Sequence, residues 1–172
     1  DSVLLIDASN AFNCLNRAVA LHNIQVKCPI LATYLVNTYR HPAKLFIAGG
    51  KTILSMEGTT KGDPLTMPWY SLSMTTLINS LRASTPEVKQ VWLADGASAA
   101  GKLDVLNKWY KNLEVEGKDH GYFVNCSKSW LIVKDRGMEE QAKAIFGNTV
   151  KITCEGKRHL GAVIGSEDDK KT

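Results

Sequence analysis

Two aspartates stand where apolar, strand-like segments of the sequence come to an end. Asp7 follows the run Val-Leu-Leu-Ile, and Asp95 follows Val-Trp-Leu-Ala. A carboxylate at the end of a buried strand is costly to ionise without a compensating positive charge. If the two strands are neighbours, the carboxylates converge and can bind Mg²⁺, which takes one or two protein carboxylates and leaves its other positions to water and phosphate oxygens. Taken singly, each aspartate is better explained as the cap of a strand end or turn.

The composition is that of an ordinary globular protein and leaves a polyanionic partner open. The 172 residues suit one domain, 44% of them are hydrophobic and 22% are charged, and the net charge is +4. That charge suits nucleic acid without requiring it. The four cysteines form no C-x-x-C pair and the four histidines are scattered singly. A structural zinc site is therefore not expected.

The sequence carries no targeting or membrane signal. Its apolar runs are far too short to span a bilayer, and nothing in it resembles a signal peptide. We therefore expect an intracellular protein, in the cytoplasm or nucleus, with reduced thiols and no membrane partner. The chain opens on Asp1 and runs directly into an apolar segment, from which we expect an internal piece of a longer polypeptide.

Periodicity and turn signals divide the chain into helices and strands that alternate irregularly. Apolar residues at helical spacing predict helices over residues 13–24, 29–39, 64–81, 102–116 and 138–146, with Asp63 as the cap of the third. Strands are predicted over residues 2–6, 88–93 and 130–133, with one hairpin around Gly49–Gly50 and a final one over residues 150–164. Asp95–Gly96 is predicted to form a tight turn before a small-residue stretch over residues 97–101. This order predicts an α+β domain whose small sheet is covered by helices on one face.

Five short segments, taken together, resemble the reverse transcriptase family. They are similar to its Asp-Ala-aromatic, Gln-Gly-x-Pro, aromatic-Ala-Asp-Asp, Asn-x-x-Lys-Thr and Leu-Gly segments, with lysine in place of the glutamine. In chain order they are Asp7-Ala8-Ser9-Asn10-Ala11-Phe12, Lys61-Gly62-Asp63-Pro64-Leu65, Leu93-Ala94-Asp95-Gly96, Asn125-Cys126-Ser127-Lys128-Ser129 and His159-Leu160-Gly161. Each alone is weak, and their order and spacing carry the resemblance. Within that family, the segments are most similar to those of retroelement-type enzymes without long terminal repeats.

The resemblance implies the palm of an RNA-directed DNA polymerase. Such a palm has a small antiparallel sheet covered by helices on one face, an RNA-recognition or ferredoxin-like core. We expect the palm with part of the fingers over residues 1–166, a charged tail or linker over residues 167–172, and incomplete fingers and thumb. The implied partners are an RNA or DNA template with its primer, and deoxynucleoside triphosphates.

The resemblance also implies a catalytic role for each matched residue of the first and third segments. Asp7 and Asp95 would bind two Mg²⁺ ions, with the carbonyl of Ala8 as a further ligand. Two such ions ~3.5–4 Å apart stabilise both the attacking 3′-oxygen and the leaving pyrophosphate. Phe12 would lie under the incoming sugar and exclude a 2′-hydroxyl. A phenylalanine of the hydrophobic core explains Phe12 equally well.

The other segments imply nucleotide and primer contacts. Gly62 and Asp63 would open the helix that faces the template and incoming base, where glycine permits close approach and a helix N-terminus favours phosphate. Lys128 would lie near the leaving pyrophosphate and donate a proton or neutralise charge. Leu160 and Gly161 would shape the hairpin that positions the primer end. A plain helix start, a surface lysine and ordinary hairpin residues are the alternative explanations.

Gly96 is where the sequence departs from the family. The family has a second aspartate directly after the one matched by Asp95. Asp-Gly is a favoured type I′ turn dipeptide, and losing one of two adjacent carboxylates relieves their repulsion, so folding should not suffer. Losing a residue that supports a metal ligand typically costs ~10–100-fold in metal affinity or activity, and losing a direct ligand should cost more. We therefore expect a folded palm with impaired catalysis.

Three hypotheses remain open from the sequence. The chain is an impaired polymerase module, or a non-catalytic relative that still binds nucleic acid, or an unrelated α+β binding domain in which Asp7 and Asp95 are structural. The distance between the carboxylates of Asp7 and Asp95 separates the third hypothesis from the others, because a separation too large for a shared metal pair would eliminate the first two.

Overall fold

The computed structural model describes residues 1–60, 62–159 and 162–165. They fall into two units: unit 1 holds Asp1–Ala8, Leu81–Glu114 and the chain from Val124 onwards, and unit 2 holds Ser9–Ser80 and Val115–Phe123. In chain order the elements are β1 (Ser2–Ile6), α1 (Ala11–Cys14), α2 (Arg17–Lys27), α3 (Pro29–Tyr39), β2 (Ala43–Ile47), β3 (Lys51–Ser55), α4 (Thr66–Ser84), β4 (Lys89–Leu93), β5 (Gly96–Gly101), α5 (Leu103–His120), β6 (Trp130–Ile132), α6 (Arg136–Phe146), β7 (Lys151–Thr153), β8 (Lys157–His159) and β9 (Ala162–Ile164). None of the helices in the described ranges has the length and apolar character needed to cross a membrane.

Unit 1 is built on a five-stranded sheet in the order β4-β5-β1-β6-β7. Neighbouring strands are antiparallel except for β6 and β7, which are parallel. In the middle strand, Leu4 pairs with Ala99 on one side and with Leu131 on the other. All three residues are buried. Strand β1 is therefore the fully paired centre of the unit.

Helix α5 packs on one face of this sheet within unit 1. Leu4, Ile6 and Trp92 share one face by strand alternation, and the Trp92 ring lies 6.3 Å from that of Trp109 in α5. Tyr110 of the same helix contacts Phe146 of α6, with the ring centroids 6.1 Å apart. These contacts confirm the α+β class, with a small sheet and its covering helices.

Unit 2 is mainly helical, with a buried aromatic centre. Trp69 has no exposed surface, its Nε1–H donates to the carbonyl of Ala20 at 3.2 Å, and its ring lies 4.7 Å from that of Tyr39. The buried Arg17 guanidinium donates to the carbonyls of Ser55 and Gly58. These bonds satisfy the arginine inside the unit and fix the segment that follows β3 against α2.

The predicted hairpin around Gly49–Gly50 is present, and it exposes both of its faces. The Gly50 N–H donates to the Ile47 carbonyl at 3.1 Å, so Ala48 and Gly49 are the central residues of the turn, and Gly50 follows it before Lys51. Gly49, with a φ of 96°, supplies the positive φ that such a turn needs at its second central residue, and Gly50 has a φ of 84°. Strands β2 and β3 pair from Ala43 to Ser55, and every residue from Ala43 to Leu54 along them is exposed, with Phe46 at 82%. Exposure of large apolar side chains on both faces distinguishes this hairpin from the buried central strand β1 of unit 1.

Two helix starts differ from the sequence prediction. The helix predicted over residues 13–24 is divided into α1 and α2, because Asn16 ends the first stretch and its side chain accepts a bond from the Val19 N–H at 3.1 Å. Asp63 does not cap α4 directly. Its carboxylate accepts from the Leu65 N–H at 2.8 Å in the preceding turn, and the helix begins at Thr66.

Two strand predictions were incomplete or wrong. The small-residue stretch over residues 97–101, left without a strand in the sequence prediction, lies in β5, which is paired on both sides. The final hairpin over residues 150–164 was wrong. Strand β7 instead joins the main sheet beside β6, and the hairpin consists of β8 and β9 alone.

Gly58 provides a test of backbone constraint in unit 2. It has a φ of 74°, and a Cβ there would overlap the carbonyl oxygen of Asn13 and lie 2.6 Å from its Cα. We expect Gly58→Ala to lower the free energy of unfolding by about 2–5 kcal/mol, from the positive φ and from overpacking together.

Gly50→Ala is the matched control, because Gly50 also has a positive φ of 84° but no atom within 4 Å of an added Cβ. It should cost only about 1–2 kcal/mol. Urea unfolding followed by tryptophan fluorescence measures both variants. Equal losses would show that the contact with Asn13 does not constrain the fold.

Candidate functional site

Asp7 directly follows β1 and is held through its backbone. Its N–H donates to the hydroxyl of Ser129 at 3.2 Å, and its carbonyl accepts from the Asn125 N–H at 2.8 Å. Both partners come from the segment before β6. These two bonds fix the Asp7 backbone beside the segment before β6. The pairing of the sheet therefore sets the direction of the Asp7 side chain.

The segment from Asn125 to Ser129 is a turn organised around one carbonyl. The Asn125 oxygen accepts from the N–H groups of Lys128 and Ser129 at 3.1 and 3.0 Å, and from the Ser129 hydroxyl at 2.8 Å. This turn places Lys128 beside Asp7, with Nζ 3.8 Å from Oδ2. The side chains are 69% and 38% exposed, so the ion pair contributes only about 0–1 kcal/mol to stability.

Asp95 lies in the two-residue turn between β4 and β5. This turn is centred one position earlier than the sequence predicted. The turn consists of Ala94 and Asp95, and the closing pair is Leu93 with Gly96, so the Asp-Gly dipeptide is not its centre. Ala94 has a φ of 53°, whereas Asp95 is not among the residues with positive φ, so this is not a type I′ turn. A left-handed alanine costs about 1–2 kcal/mol, which places backbone strain beside a candidate metal ligand.

Asp7 and Asp95 line the same cavity of unit 1, which has a volume of about 450 Å³. Lys128 and Gly96 line it as well. The structure therefore brings together predicted residues from three separate motifs. Ala8 follows Asp7, is buried, and forms a bridge with Val124.

The register between β1 and β5 places Gly96 next to Asp7. Ile6 pairs with Ala97, so continuing the antiparallel register by one residue places Asp7 opposite Gly96 on the same face. A Cβ at Gly96 would lie 3.5 Å from the carbonyl oxygen of Leu93 and 3.8 Å from that of Ile6, which are ordinary contacts. The position therefore has room for a side chain, and the glycine is not required by packing.

Asp7 and Asp95 are the carboxylates among the described residues that line this cavity. Within the described ranges, no group of three or more histidine, cysteine, aspartate or glutamate side chains is placed to hold a metal ion. Mg²⁺ takes one or two protein carboxylates and completes its shell with phosphate oxygens and water, so the two carboxylates match it in number and type.

Several cavity residues were missed by the sequence reasoning. Lys157 and Arg158 line the cavity from β8, next to His159 of the fifth motif, whose Nε2 lies 3.4 Å from the hydroxyl of Ser98 in β5. Trp130 completes this side. Three consecutive basic residues beside a proposed primer hairpin were a usable signal, since a basic cluster is typical of phosphate binding.

The predicted nucleotide-binding residues Phe12, Gly62 and Asp63 lie in unit 2. The half-buried Phe12 ring packs on Tyr70, with the centroids 4.8 Å apart. Gly62 has a φ of 94°, and an added Cβ would meet no atom within 4 Å. These placements leave the predicted nucleotide roles as predictions.

The Asp63 carboxylate is already engaged within unit 2. Its Oδ2 accepts from the hydroxyl of Tyr39 at 2.6 Å, and its Oδ1 accepts from the Leu65 N–H. Burial, and then the bond to Asp63, raise the pKa of the Tyr39 hydroxyl above its ordinary value. The bond is therefore kept at neutral pH, and Asp63 serves at least to fix the segment before α4.

Some predicted residues lie outside the described residues. These are the primer-contact pair Leu160 and Gly161, the motif residue Lys61, and the charged tail over residues 167–172. Of the fifth motif, His159 alone is described.

Comparison with solved structures finds the fold in telomerases. Apo telomerase from Candida tropicalis superposes with a TM-score of 0.69 over 95% of this chain at 12% identity. Telomerase from Candida albicans, in complex with a TWJ fragment of telomeric RNA, superposes with a TM-score of 0.64 over 97% at 12% identity. The chain spans only 31% and 30% of those two chains. At this identity the likeness shows the fold alone.

No protein-family model and no curated protein sequence matches the chain. The telomerase likeness thus rests on three-dimensional structure. It shows a fold shared with parts of those two telomerase chains.

Ser129 tests how Asp7 is positioned. It is fully buried, and its hydroxyl is the acceptor for the Asp7 N–H. We expect Ser129→Ala to lower the free energy of unfolding by about 1–3 kcal/mol, because it leaves that N–H unpaired. The exposed Ser127, whose hydroxyl donates to the Asn125 side chain at 2.7 Å, is the control, and Ser127→Ala should cost less than about 0.5 kcal/mol. Thermal denaturation measures both, and similar losses would contradict the assigned role.

Proposed function

We propose that the chain is a reverse-transcriptase-like palm module of retroelement type, which binds nucleic acid and has impaired nucleotidyl transfer. The observation that carries this proposal is that Asp7, Asp95 and Lys128 come from three separate motifs and line one cavity. A shared cavity is what the two reverse-transcriptase hypotheses require of these residues, whereas an unrelated domain with two structural aspartates does not require it. The telomerase-like fold supports the proposal independently of the motifs.

The proposed reaction extends a primer 3′-hydroxyl with a deoxynucleoside triphosphate on an RNA or DNA template. Asp7 and Asp95 hold Mg²⁺, with the Ala8 carbonyl as a further ligand. When bound, Mg²⁺ supplies charge stabilisation at the attacking 3′-oxygen and the leaving pyrophosphate. Lys128, 3.8 Å from Asp7, supplies positive charge for the departing phosphates and can donate a proton. Phe12, Gly62 and Asp63 keep their proposed contacts with the incoming nucleotide.

The impairment follows from Gly96. The position faces Asp7 and has room for a side chain, yet it supplies no carboxylate. The metal ions therefore have one protein oxygen donor group fewer than the family pattern provides. The remaining two carboxylates still fit a cation, so the expected defect is weaker metal binding and slower transfer rather than loss of the fold.

A second candidate function, nucleic-acid binding without catalysis, is favoured by the charge of the cavity. Lys128, Lys157 and Arg158 line it against Asp7 and Asp95, so fixed positive charges outnumber negative ones before His159 is counted. Such a lining attracts phosphate without a divalent cation. This candidate shares the nucleic-acid ligand with the first and differs from it only in the reaction.

Restoring the missing carboxylate tests the first candidate. We expect Gly96→Asp to increase affinity for Mn²⁺, a spectroscopic substitute for Mg²⁺, by about 10–100-fold, because it supplies a third carboxylate beside Asp7 and Asp95. Electron paramagnetic resonance of free Mn²⁺ measures the affinity. Primer extension on a labelled template–primer with Mg²⁺ should rise in the same variant.

Gly96→Asn is the matched control, because asparagine has nearly the same size and no charge. It should leave Mn²⁺ affinity and primer extension close to those of the unmodified chain. Robust extension by the unmodified chain, unchanged in Gly96→Asp, would contradict the impairment. Stronger Mn²⁺ binding without any extension in Gly96→Asp would favour the non-catalytic candidate.

A further inference from the structure

Unit 1 contains a second recess that none of the predicted roles uses. This recess, the side groove, has a volume of about 590 Å³ and is lined by Cys126, Ser127, Lys143, Asn148 and Lys151, among others. It shares Trp130 with the candidate cavity. Within the described part of the chain, its lining includes two lysines and no carboxylate. The groove is therefore a positively charged surface next to the candidate site.

Trp130 connects the charge of the groove with that of the cavity. The Lys157 ammonium lies 4.1 Å from the centroid of the indole ring, and the Lys151 ammonium lies 5.1 Å from it. Lys157 lines the cavity, and Lys151 lines the groove. Because an indole face attracts ammonium groups, the ring holds both lysines close to the border between the two recesses. Positive charge thus continues from the cavity across Trp130 into the groove.

The ammonium of Lys143 is only weakly paired and can bind a ligand. Its Nζ lies 3.9 Å from Glu139 Oε2, and the other oxygen of Glu139 accepts from the Cys154 N–H at 2.8 Å. The Lys143 side chain is 61% exposed, so this ion pair is weak and the ammonium can turn towards a phosphate. Gly147, at the end of the same helix, leaves open space, since an added Cβ would meet nothing within 4 Å.

We propose that the side groove binds the sugar–phosphate backbone of a single nucleic-acid strand that extends out of the cavity. A repeating phosphodiester matches lysines that lie in succession from Lys157 to Lys151 and Lys143, because lysine binds phosphate as a point charge and needs no base identity. The proposal rests on nucleic-acid binding by the chain, but it requires neither catalysis nor a divalent cation.

The test measures binding of a fluorescein-labelled oligouridylate by anisotropy in EDTA. The double variant Lys143→Gln, Lys151→Gln should bind about fivefold more weakly, the effect expected for two exposed ion pairs. The slope of log affinity against log salt should also fall by about 1.4, or about 0.7 for each phosphate contact on a single strand. Circular dichroism and thermal denaturation confirm that the variant folds.

The matched control removes two lysines from another surface of unit 1. Lys108 and Lys111 are exposed on α5 and line neither recess, so Lys108→Gln, Lys111→Gln makes the same charge change outside the groove. It should leave the salt slope unchanged. An equal loss of affinity and slope in both double variants would overturn the groove and indicate attraction by net charge alone.

Cys126 gives a second readout that depends on position. Its thiol is exposed and lines the groove, whereas Cys14 and Cys28 lie in unit 2 and are partly buried. Bound oligouridylate should slow alkylation of Cys126 by iodoacetamide relative to Cys14 and Cys28, as measured by peptide mass spectrometry. Binding that leaves both Cys126 alkylation and the groove variant unaffected would refute the groove alone. An unmodified chain that binds no oligonucleotide would refute the proposed function as well.

Discussion

The candidate site depends above all on the pairing of β1 along both of its edges. A strand that is buried and hydrogen-bonded on two sides cannot slip by one residue without moving its whole apolar set to the wrong face. Leu4 and Ile6 are almost fully buried, so the register with β5 and β6 is firmly specified. That register decides what lies beside Asp7: Gly96 on one side and, through the turn from Asn125, Lys128 on the other. The buried residues of β1 therefore determine which groups surround the Asp7 carboxylate.

The same sheet explains why a glycine is tolerated where the family has an aspartate. Gly96 pairs with Leu93 through backbone groups, and these bonds do not depend on the side chain. The strained residue is Ala94, two positions before Gly96. Its positive φ is costly for any residue with a Cβ. The backbone pairing that closes the turn does not require a carboxylate at position 96, and a carboxylate there would add negative charge to the cavity.

Local signals allowed much of the fold to be predicted, and non-local pairing accounts for the rest. Pro29 and a helical period gave α3, and the pair Gly49–Gly50 gave the β2–β3 hairpin. Strand β5 escaped because alanine, serine and glycine have low strand propensity, and this strand is held by partners on both edges. Strand β7 is three residues long and pairs in parallel with β6. No turn signal in the sequence predicts such a parallel pairing. Within the site, the motifs identified Asp7, Asp95 and Lys128, whereas Trp130 and Lys157 entered only through packing.

The proposed metal site and the proposed nucleic-acid surface depend on different groups in this molecule. The proposed transfer needs carboxylates that bring cations to one point, and Gly96 offers none there. Attraction of a nucleic-acid strand needs positive charge spread over a surface, and unit 1 supplies it from Lys128 to Lys157 in the cavity and to Lys151 beyond Trp130. The ammonium of Lys128 lies 3.8 Å from the Asp7 carboxylate. In the proposed function, a weaker metal site leaves this positive charge in place, so impaired transfer does not imply loss of the nucleic-acid ligand.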